Sequence, residues 1–545
     1  MVRFSVVVST LPMPSGLSGR SDVVRIGLPL LRSEADACAW GRALRARPLL
    51  TQAPERSRRK PVQDFFFTPV QSMLDAIEHH GGSMQAVLAD DRHTRNCHPV
   101  HRAWALDAVP TYLAARARHE TAGYPVTLPV TAEWVGLSRL RQPDTRGVVQ
   151  YERTAWCRRY ATRDGSVREI WIPSMGSAKE NRSKAEIAAA AAIAATGVPA
   201  RGSFGEPYRK VENEAVQPQR VRVIGVGLAD GKPLVLADWD VEEAVRQFEE
   251  HAKERYAAVL DGQALRPGSD CTTCEGLLGC TALPEVPGLL GVPAPRRPRK
   301  RRSVSISDLR AYKSCPARFH LTRALYIKDG RTENEAIRRG RAVDAWLNDR
   351  HGQDARTPCR NVPLPTELPG LTGAELGPAV RMVEEHRAFC PLDGLPESEL
   401  VRTQWRLAAY DPVVDVVVIA DPDLLYTEAG GWVWRETKTA SRRTWEGRSL
   451  LREYPQLALA VLLMAAGVPG GDPRRSRIEL EILRENGSVC EEFDPFDQAT
   501  RDEAGEIVAG LAAGWASDET YSPSPGDHCA DCEVRRWCTA SGEPR

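Results

Sequence analysis

The stretch that most constrains this chain is residues 413–438, VVDVVVIADPDLLYTEAGGWVWRETK. Its β-branched start, residues 413–420, is nearly continuous in apolar character and reads as a strand buried on both faces. Pro422 has no N–H to give and ends regular pairing, and Asp423 follows directly. Glu428-Ala-Gly-Gly431 is turn chemistry, so residues 432–438 are expected to return as the second strand of a hairpin. Glu436 and Lys438 are two apart and share a face, and a hairpin brings Asp423 beside them. Two carboxylates and an ammonium on the rim of a buried sheet are costly unless they are used. Hard carboxylate oxygens with open positions suit Mg²⁺ or Mn²⁺. Such an ion lowers the pKa of a bound water and neutralises charge on a phosphate, and a lysine can steady the attacking hydroxide or the phosphate. The plainer alternative is an edge hairpin with surface charges. It accounts for a lone E-x-K, and less well for the whole arrangement.

Pro422-Asp423 followed by Glu436-Thr437-Lys438 resembles the PD-(D/E)XK nuclease superfamily. Glu453-Tyr-Pro-Gln456-Leu-Ala-Leu-Ala460 looks like the glutamine helix of its RecB-like branch, with Ala460 where a tyrosine often stands. Arg339-Gly340-Arg341-Ala342-Val343-Asp344 resembles the branch's G-x-x-x-His helix, with Asp344 in the histidine place. The resemblance implies an α/β (α+β) fold built as two tandem restriction-endonuclease-like domains, each a central mixed sheet flanked by helices. It implies that Asp423, Glu436 and Asp344 hold Mg²⁺ or Mn²⁺, that Lys438 positions and activates water, and that Gln456 orients the lysine or a DNA phosphate. The expected activity is that of a metal-dependent DNA nuclease, an exonuclease on DNA ends or single strands. Its setting would be DNA repair, recombination or phage defence, CRISPR adaptation included. The alternative is a catalytically inactive nucleic-acid-binding or scaffold protein of the same fold. No G-x-x-x-x-G-K-[ST] loop is present, so a separate helicase, translocase or defence-complex subunit is expected beside DNA as a partner.

At 545 residues, two or more domains are expected. With 42% hydrophobic and 27% charged residues the balance is that of a globular chain, and a formal charge of +1 gives no global basic field for nucleic acid. No apolar run is long enough to span a bilayer, and the opening apolar stretch is too short for a secretory signal. No membrane partner and a cytoplasmic location are therefore expected.

Thirteen cysteines without an export signal argue for metal or cluster ligation. Cys529, Cys532 and Cys538 repeat the C-x2-C-x5-C spacing of Cys271, Cys274 and Cys280. The segment Ser314-Cys315-Pro316 resembles the entry of the iron–sulfur RecB-like nucleases, which implies that Cys315 joins Cys529, Cys532 and Cys538 around a [4Fe–4S] cluster. Zn²⁺ is the other option for four thiolates. For the N-terminal trio the remote ligand is expected to be Cys38, ahead of Cys97 and Cys157, with a second cluster, Zn²⁺ or nothing bound. Cys359, Cys390 and Cys490 read as buried small hydrophobes, and residues 350–400 as a helical insertion.

The two halves can be aligned. A 266-residue offset sets Gly165 against Gly431, Ile170 against Glu436, Ile172 against Lys438 and Cys157 against Asp423. A 270-residue offset sets the alanine-rich run 185–199 against 455–469, with Glu186 at Gln456. With the matching cysteine spacing, this reads as an internal duplication. Residues 1–285 would be a degenerate nuclease-like copy, 286–303 a linker, and 304–545 the active domain. The linker is rich in Pro and basic residues, is expected to be extended and mobile, and offers Arg299, Lys300, Arg301 and Arg302 to a phosphate backbone. A second basic run at 56–60 reads as a solvated loop. Trp432, Trp434 and Trp445 are read as packing residues before base-stacking ones.

Overall fold

The computed structural model describes residues 16–32, 37–52, 62–141, 148–203, 205–211, 216–328, 334–440 and 447–541. The basic run at 56–60 and Trp445 lie outside these residues.

Two mixed sheets form the scaffold of the C-terminal half. In the smaller, Arg302–Val304 runs parallel to Val416–Ala420, which pairs antiparallel with Leu407–Asp411. The larger has the order Val401–Thr403, Leu424–Glu428, Gly431–Thr439, Arg477–Leu483, Val489–Phe493, and its one parallel contact is between the third and fourth strands. The expected hairpin is therefore narrower than the sequence suggests. Val416–Ala420 belongs to the small sheet, and the partner of the return strand is Leu424–Glu428. Asp421-Pro422-Asp423 is the corner at which the chain passes from one sheet to the other, where a residue without an N–H costs no ladder bond. The turn behind it is tight: Ala429 and Gly430 have φ of 49° and 90°, the left-handed pair of a two-residue hairpin loop. A side chain at Gly431 would meet the Arg475 backbone at 2.4 Å.

Helix Pro455–Ala465 covers one face of the large sheet, burying Leu457, Leu459 and Val461 against Trp434, Ile478, Leu480 and Ile482. Each such side chain removed from water stabilises the fold by about 1.5–3 kcal/mol. Helices Glu335–His351 and Leu376–His386 cover the opposite face through Ala342, Val343, Leu347, Met382 and Val383.

The N-terminal half repeats this plan. Its larger sheet runs Leu128–Pro129, Arg158–Ala161, Val167–Ser174, Arg220–Gly227, Pro233–Asp240, again with a single parallel contact between third and fourth strands. In its second sheet Val23–Gly27 runs parallel to Val148–Thr154, and Glu133–Arg141 pairs antiparallel with it, as in the small C-terminal sheet. Helix Lys184–Thr196 takes the place of Pro455–Ala465. It is buried from Ala188 to Ala195, as an apolar helix enclosed on all sides must be.

One offset cannot hold along the N-terminal hairpin. Arg158 pairs with Trp171 and Arg159 with Ile170, whereas Leu424 pairs with Arg435. Cys157 and Ile170 therefore cannot both occupy the places of Asp423 and Glu436, because Cys157 lies level with Ile172. On either alignment the place of the acidic pair holds no carboxylate. Cys157, Ile170 and Ile172 are packed into the apolar core with Ala185, Ala188 and Ala189. Glu186, at the place of Gln456, is buried between Arg32 at 3.0 Å and Arg182 at 3.5 Å.

Segment 286–303 departs from the mobile linker expected. Leu289, Leu290 and Val292 are buried in the C-terminal core, and the Asp411 carboxylate accepts Gly288 N–H at 2.9 Å and Leu290 N–H at 3.1 Å.

The halves also share apolar cores. Helix Pro99–Thr121 and the outer face of the N-terminal sheet pack with Cys315, Leu321, Leu325, Val534 and Trp537. Reciprocally, Cys271, Leu277 and Leu283 pack on Ala408, Tyr410, Val417 and Ile419. Each half's cysteine segment is thus seated against the other half. Among the described residues no helix is long and apolar enough to cross a membrane.

Candidate active site

Asp423 stands at the sheet-to-sheet corner, and Glu436 and Lys438 stand on the adjoining strand. Asp423 Oδ2 accepts from Thr437 N–H at 2.8 Å and from Lys438 Nζ at 3.0 Å. Glu436 Oε2 accepts from Lys438 Nζ at 2.9 Å, and its Oε1 accepts from the fully buried Trp434 Nε1 at 3.0 Å. One ammonium is therefore shared by two carboxylates that face each other.

Asp344 brings a third. It lies on helix Glu335–His351, which comes so near strand Gly431–Thr439 that a side chain at Gly340 would meet Thr439 Oγ1 at 2.9 Å. Burial and the Asp423 charge push the Asp344 carboxyl up to about 6. Burial first, then Asp423, push the Glu436 carboxyl up to about 7 despite Lys438. Lys438 moves the other way: burial opposes its charge, but Glu436 and Asp423 outweigh that and raise it above its ordinary value. Two carboxylates on one ammonium, with the charge of Asp344 felt by Asp423 and Lys438, leave surplus negative charge in a low-dielectric corner, which protonation or a hard cation would relieve. The donor set of carboxylate oxygens fits Mg²⁺ or Mn²⁺.

Gln456 is half-buried in the first turn of helix Pro455–Ala465, and Ala460 is fully buried in the core beneath it. Trp432 and Trp434 are buried packing residues.

The basic residues expected to meet DNA are largely engaged within the chain. Arg299 donates to Asp518 O at 2.9 Å and Ser517 O at 2.7 Å. Arg301 pairs with Asp415 at 2.8 Å, and Arg302 lies 3.9 Å over the Trp515 ring. Lys300 pairs with Asp64 at 3.0 Å while its side chain stays about half exposed.

The N-terminal cysteine set is gathered, and in the C-terminal set Cys315, Cys532 and Cys538 are brought into one cluster that does not include Cys529. Cys38, Cys271, Cys274 and Cys280 line one small cavity, with Cys38 Sγ accepting Gly41 N–H at 3.3 Å and Cys271 Sγ accepting Gly268 N–H at 3.4 Å. Cys315 packs with Cys532 and Cys538, and its sulfur accepts Arg318 N–H at 3.5 Å and Ser524 N–H at 3.4 Å. Cys38 and Cys315 each cap a helix and accept the N–H three residues on, the same local geometry in the two halves.

The reading of Cys359 and Cys390 as plain buried hydrophobes gives way to a Cys/His group. Their sulfurs and the ring nitrogens of His351 and His386 all lie within 4.8 Å of one another, an arrangement that could hold a metal ion. The signal available in the sequence was His386-x3-Cys390 and His351-x7-Cys359. Cys490 sits half-exposed on the edge strand Val489–Phe493.

Residues 303–539 match the profile of the PD-(D/E)XK nuclease superfamily. That segment is a PD-(D/E)XK nuclease superfamily domain. Its sheets and helices have the restriction-endonuclease-like fold, and the superfamily's members are typically metal-dependent nucleases. Among solved structures, the crystal structure of SSO0001 matches at 16% identity over 44% of this chain and 86% of that one, with a TM-score of 0.22. No curated protein matches the sequence.

Proposed function

We propose that the PD-(D/E)XK domain is a Mg²⁺- or Mn²⁺-dependent deoxyribonuclease that hydrolyses phosphodiesters at DNA ends or in single strands. The observation that carries this reading is that Asp423 and Glu436 share the Lys438 ammonium at the sheet corner, with the Asp344 carboxyl within electrostatic reach on the neighbouring helix. A divalent ion held by those carboxylates would neutralise phosphate charge and make water a better nucleophile. The rest belongs to the chain. Thr437 N–H fixes Asp423, and Trp434 N–H pins one oxygen of Glu436 so that the other faces the ammonium. Lys438 keeps its proton between two carboxylates, so it orients water and stabilises charge growing on the phosphate rather than taking a proton. Gln456 orients the lysine or a phosphate from the helix start.

We assign the C-terminal four-cysteine set to a [4Fe–4S] cluster that ties the entry helix of the domain to its last segment, a loop long enough for the tie to matter. The N-terminal set is assigned a second cluster or Zn²⁺. Backbone N–H groups aimed at Cys38, Cys271 and Cys315 hold these sulfurs in fixed positions facing their sets. The setting would be cytoplasmic DNA repair, recombination or phage defence, with a separate helicase or translocase supplying movement along DNA.

The test is digestion of end-labelled single- and double-stranded DNA with Mg²⁺ and with Mn²⁺, comparing the wild type with Lys438→Ala. Loss of cutting in the variant supports the proposal. Cutting that survives the substitution, or an inert wild type, points instead to a scaffold that binds nucleic acid.

A further inference from the structure

We infer that His351, Cys359, His386 and Cys390 bind a structural zinc ion behind the catalytic sheet. All four are buried, from 0% exposed at Cys359 to 6% at His351. His351 Nε2 lies 3.2 Å from His386 Nε2, 3.5 Å from Cys359 Sγ and 3.9 Å from Cys390 Sγ. A tetrahedron with Zn–N of about 2.05 Å and Zn–S of about 2.3 Å has edges of about 3.3 Å between nitrogens and about 3.6 Å from nitrogen to sulfur. Three observed edges fall within a few tenths of an ångström of those values, so the group is already spaced as the shell of a single ion.

The hydrogen bonds point the same way. His386 Nδ1 lies 2.7 Å from Glu481 Oε1, and Arg435, 3.2 Å from Glu481 Oε2, keeps that carboxylate ionised. An ionised carboxylate only accepts, so Nδ1 carries a hydrogen, and Nε2 is the nitrogen turned into the group as the candidate ligand atom. A carboxylate behind a histidine is the usual support of a metal-ligating ring. Cys390 Sγ also accepts Cys359 N–H at 3.4 Å. Two thiolates, two neutral imidazoles and Zn²⁺ sum to zero charge, which suits a site this deeply buried. Two sulfurs and two nitrogens in tetrahedral spacing select zinc over Mg²⁺ or Mn²⁺. With four protein ligands no position stays open, so the site is structural.

Its place in the fold gives it work. His351 and His386 end the helices Glu335–His351 and Leu376–His386, and the cysteines come from the chain after each. An ion there joins the two helices. Asp344 lies seven residues before His351, two turns back on the same face, so the zinc fixes the helix that presents this carboxylate. On the strand side, Glu481 also accepts from Thr437 Oγ1 at 3.3 Å, and Thr437 N–H holds Asp423. The ion stands apart from the Mg²⁺ or Mn²⁺ of the proposed nuclease, and its presence does not require that the chain cut DNA.

The experiment is zinc analysis and zinc-edge X-ray absorption on the full chain, purified without added metal. The expected result is a zinc whose shell contains nitrogen at about 2.0–2.1 Å as well as sulfur at about 2.3 Å. Cys390→Ser and His386→Asn should each lose about one zinc per chain, and Cys490→Ser on the neighbouring edge strand should keep it. Should the cysteine sets take zinc too, the spectrum lost between wild type and variant must still show the mixed shell. A chain without zinc overturns the inference, as does a shell of sulfur alone. Where a variant fails to fold, the wild-type spectrum decides.

Discussion

Replacing Glu436 by glutamine should remove a pH-dependent instability from the divalent-ion-free protein. The Glu436 carboxyl is pushed from its ordinary 4.5 up to about 7, a gap worth about 3 kcal/mol at about 1.36 kcal/mol per pKa unit. The sign follows from proton binding: between those values the folded chain holds the proton and the unfolded chain has lost it. Stability contributed by the protonated group is therefore complete below about 4.5 and lost as pH rises to about 7. Glutamine has nothing to titrate. It can satisfy Trp434 N–H or Lys438 but not both, so its absolute stability at low pH is not the quantity to compare. The comparison is the gap between variant and wild type, which should shift by about 3 kcal/mol in the variant's favour between pH 4.5 and 8. Asp344 titrates in both proteins, and its shift arises from burial and Asp423 rather than from Glu436, so it cancels. The assay is urea unfolding followed by tryptophan fluorescence at four pH values in Mg²⁺-free buffer. Mn²⁺ should then stabilise the wild type and not the variant. A gap that stays constant with pH would refute the claim that the pocket holds an unrelieved carboxylate.

Lys438→Met should lower the cleavage rate by about 10²–10³-fold, the usual loss when a group stabilising transition-state charge is removed, with little change in DNA affinity, read by single-turnover digestion. Nuclease activity at fixed Mg²⁺ should rise with pH through the range from about 6 to about 7, as Asp344 and Glu436 give up protons to a cation. More metal should move that midpoint down, and a midpoint that ignores metal concentration would contradict the assignment. Arg302→Ala removes a cation stacked on Trp515 and should cost about 1–2 kcal/mol of stability. It should leave the salt dependence of DNA binding unchanged, as measured by unfolding and by titration at several salt concentrations. Cys538→Ser should deplete iron and acid-labile sulfide in anaerobic preparations and lower the melting temperature. Unchanged iron would remove Cys538 from the cluster.

What could be read from the chain beforehand was local. The turn at Glu428-Ala-Gly-Gly431, the stop at Pro422 and the two-residue spacing of Glu436 and Lys438 depend on neighbours in sequence, and the hairpin follows from them. The partner of residues 413–420 does not. A buried strand accepts any sheet edge of matching register, and the corner at 421–423 exists only because two different sheets compete for the chain. Composition alone misleads at segment 286–303. Leu289, Leu290 and Val292 are sparse among its prolines, yet they are buried. Its arginines place their heads on partners far along the chain, such as Asp415 and the backbone at 517–518, which charge patterning cannot reveal. The shared sheet plan of the two halves was foreshadowed by cysteine spacing and alanine-rich helices, but the N-terminal hairpin register could not be had from one offset. The Cys/His group was missed because its four members are spread over residues 351–390 and meet only once two helices have docked.

The reciprocal seating of the cysteine segments has a practical consequence. Each segment covers apolar surface belonging to the other half, as an exchanged arm does between the subunits of a symmetric dimer. A chain cut at residue 303 would keep the whole acidic corner and still bare Leu321, Leu325, Val534 and Trp537 to water. Such a fragment should aggregate or pair with a copy of itself, and the half whose corner lacks the acidic pair would act as a permanently tethered chaperone for the half that carries it.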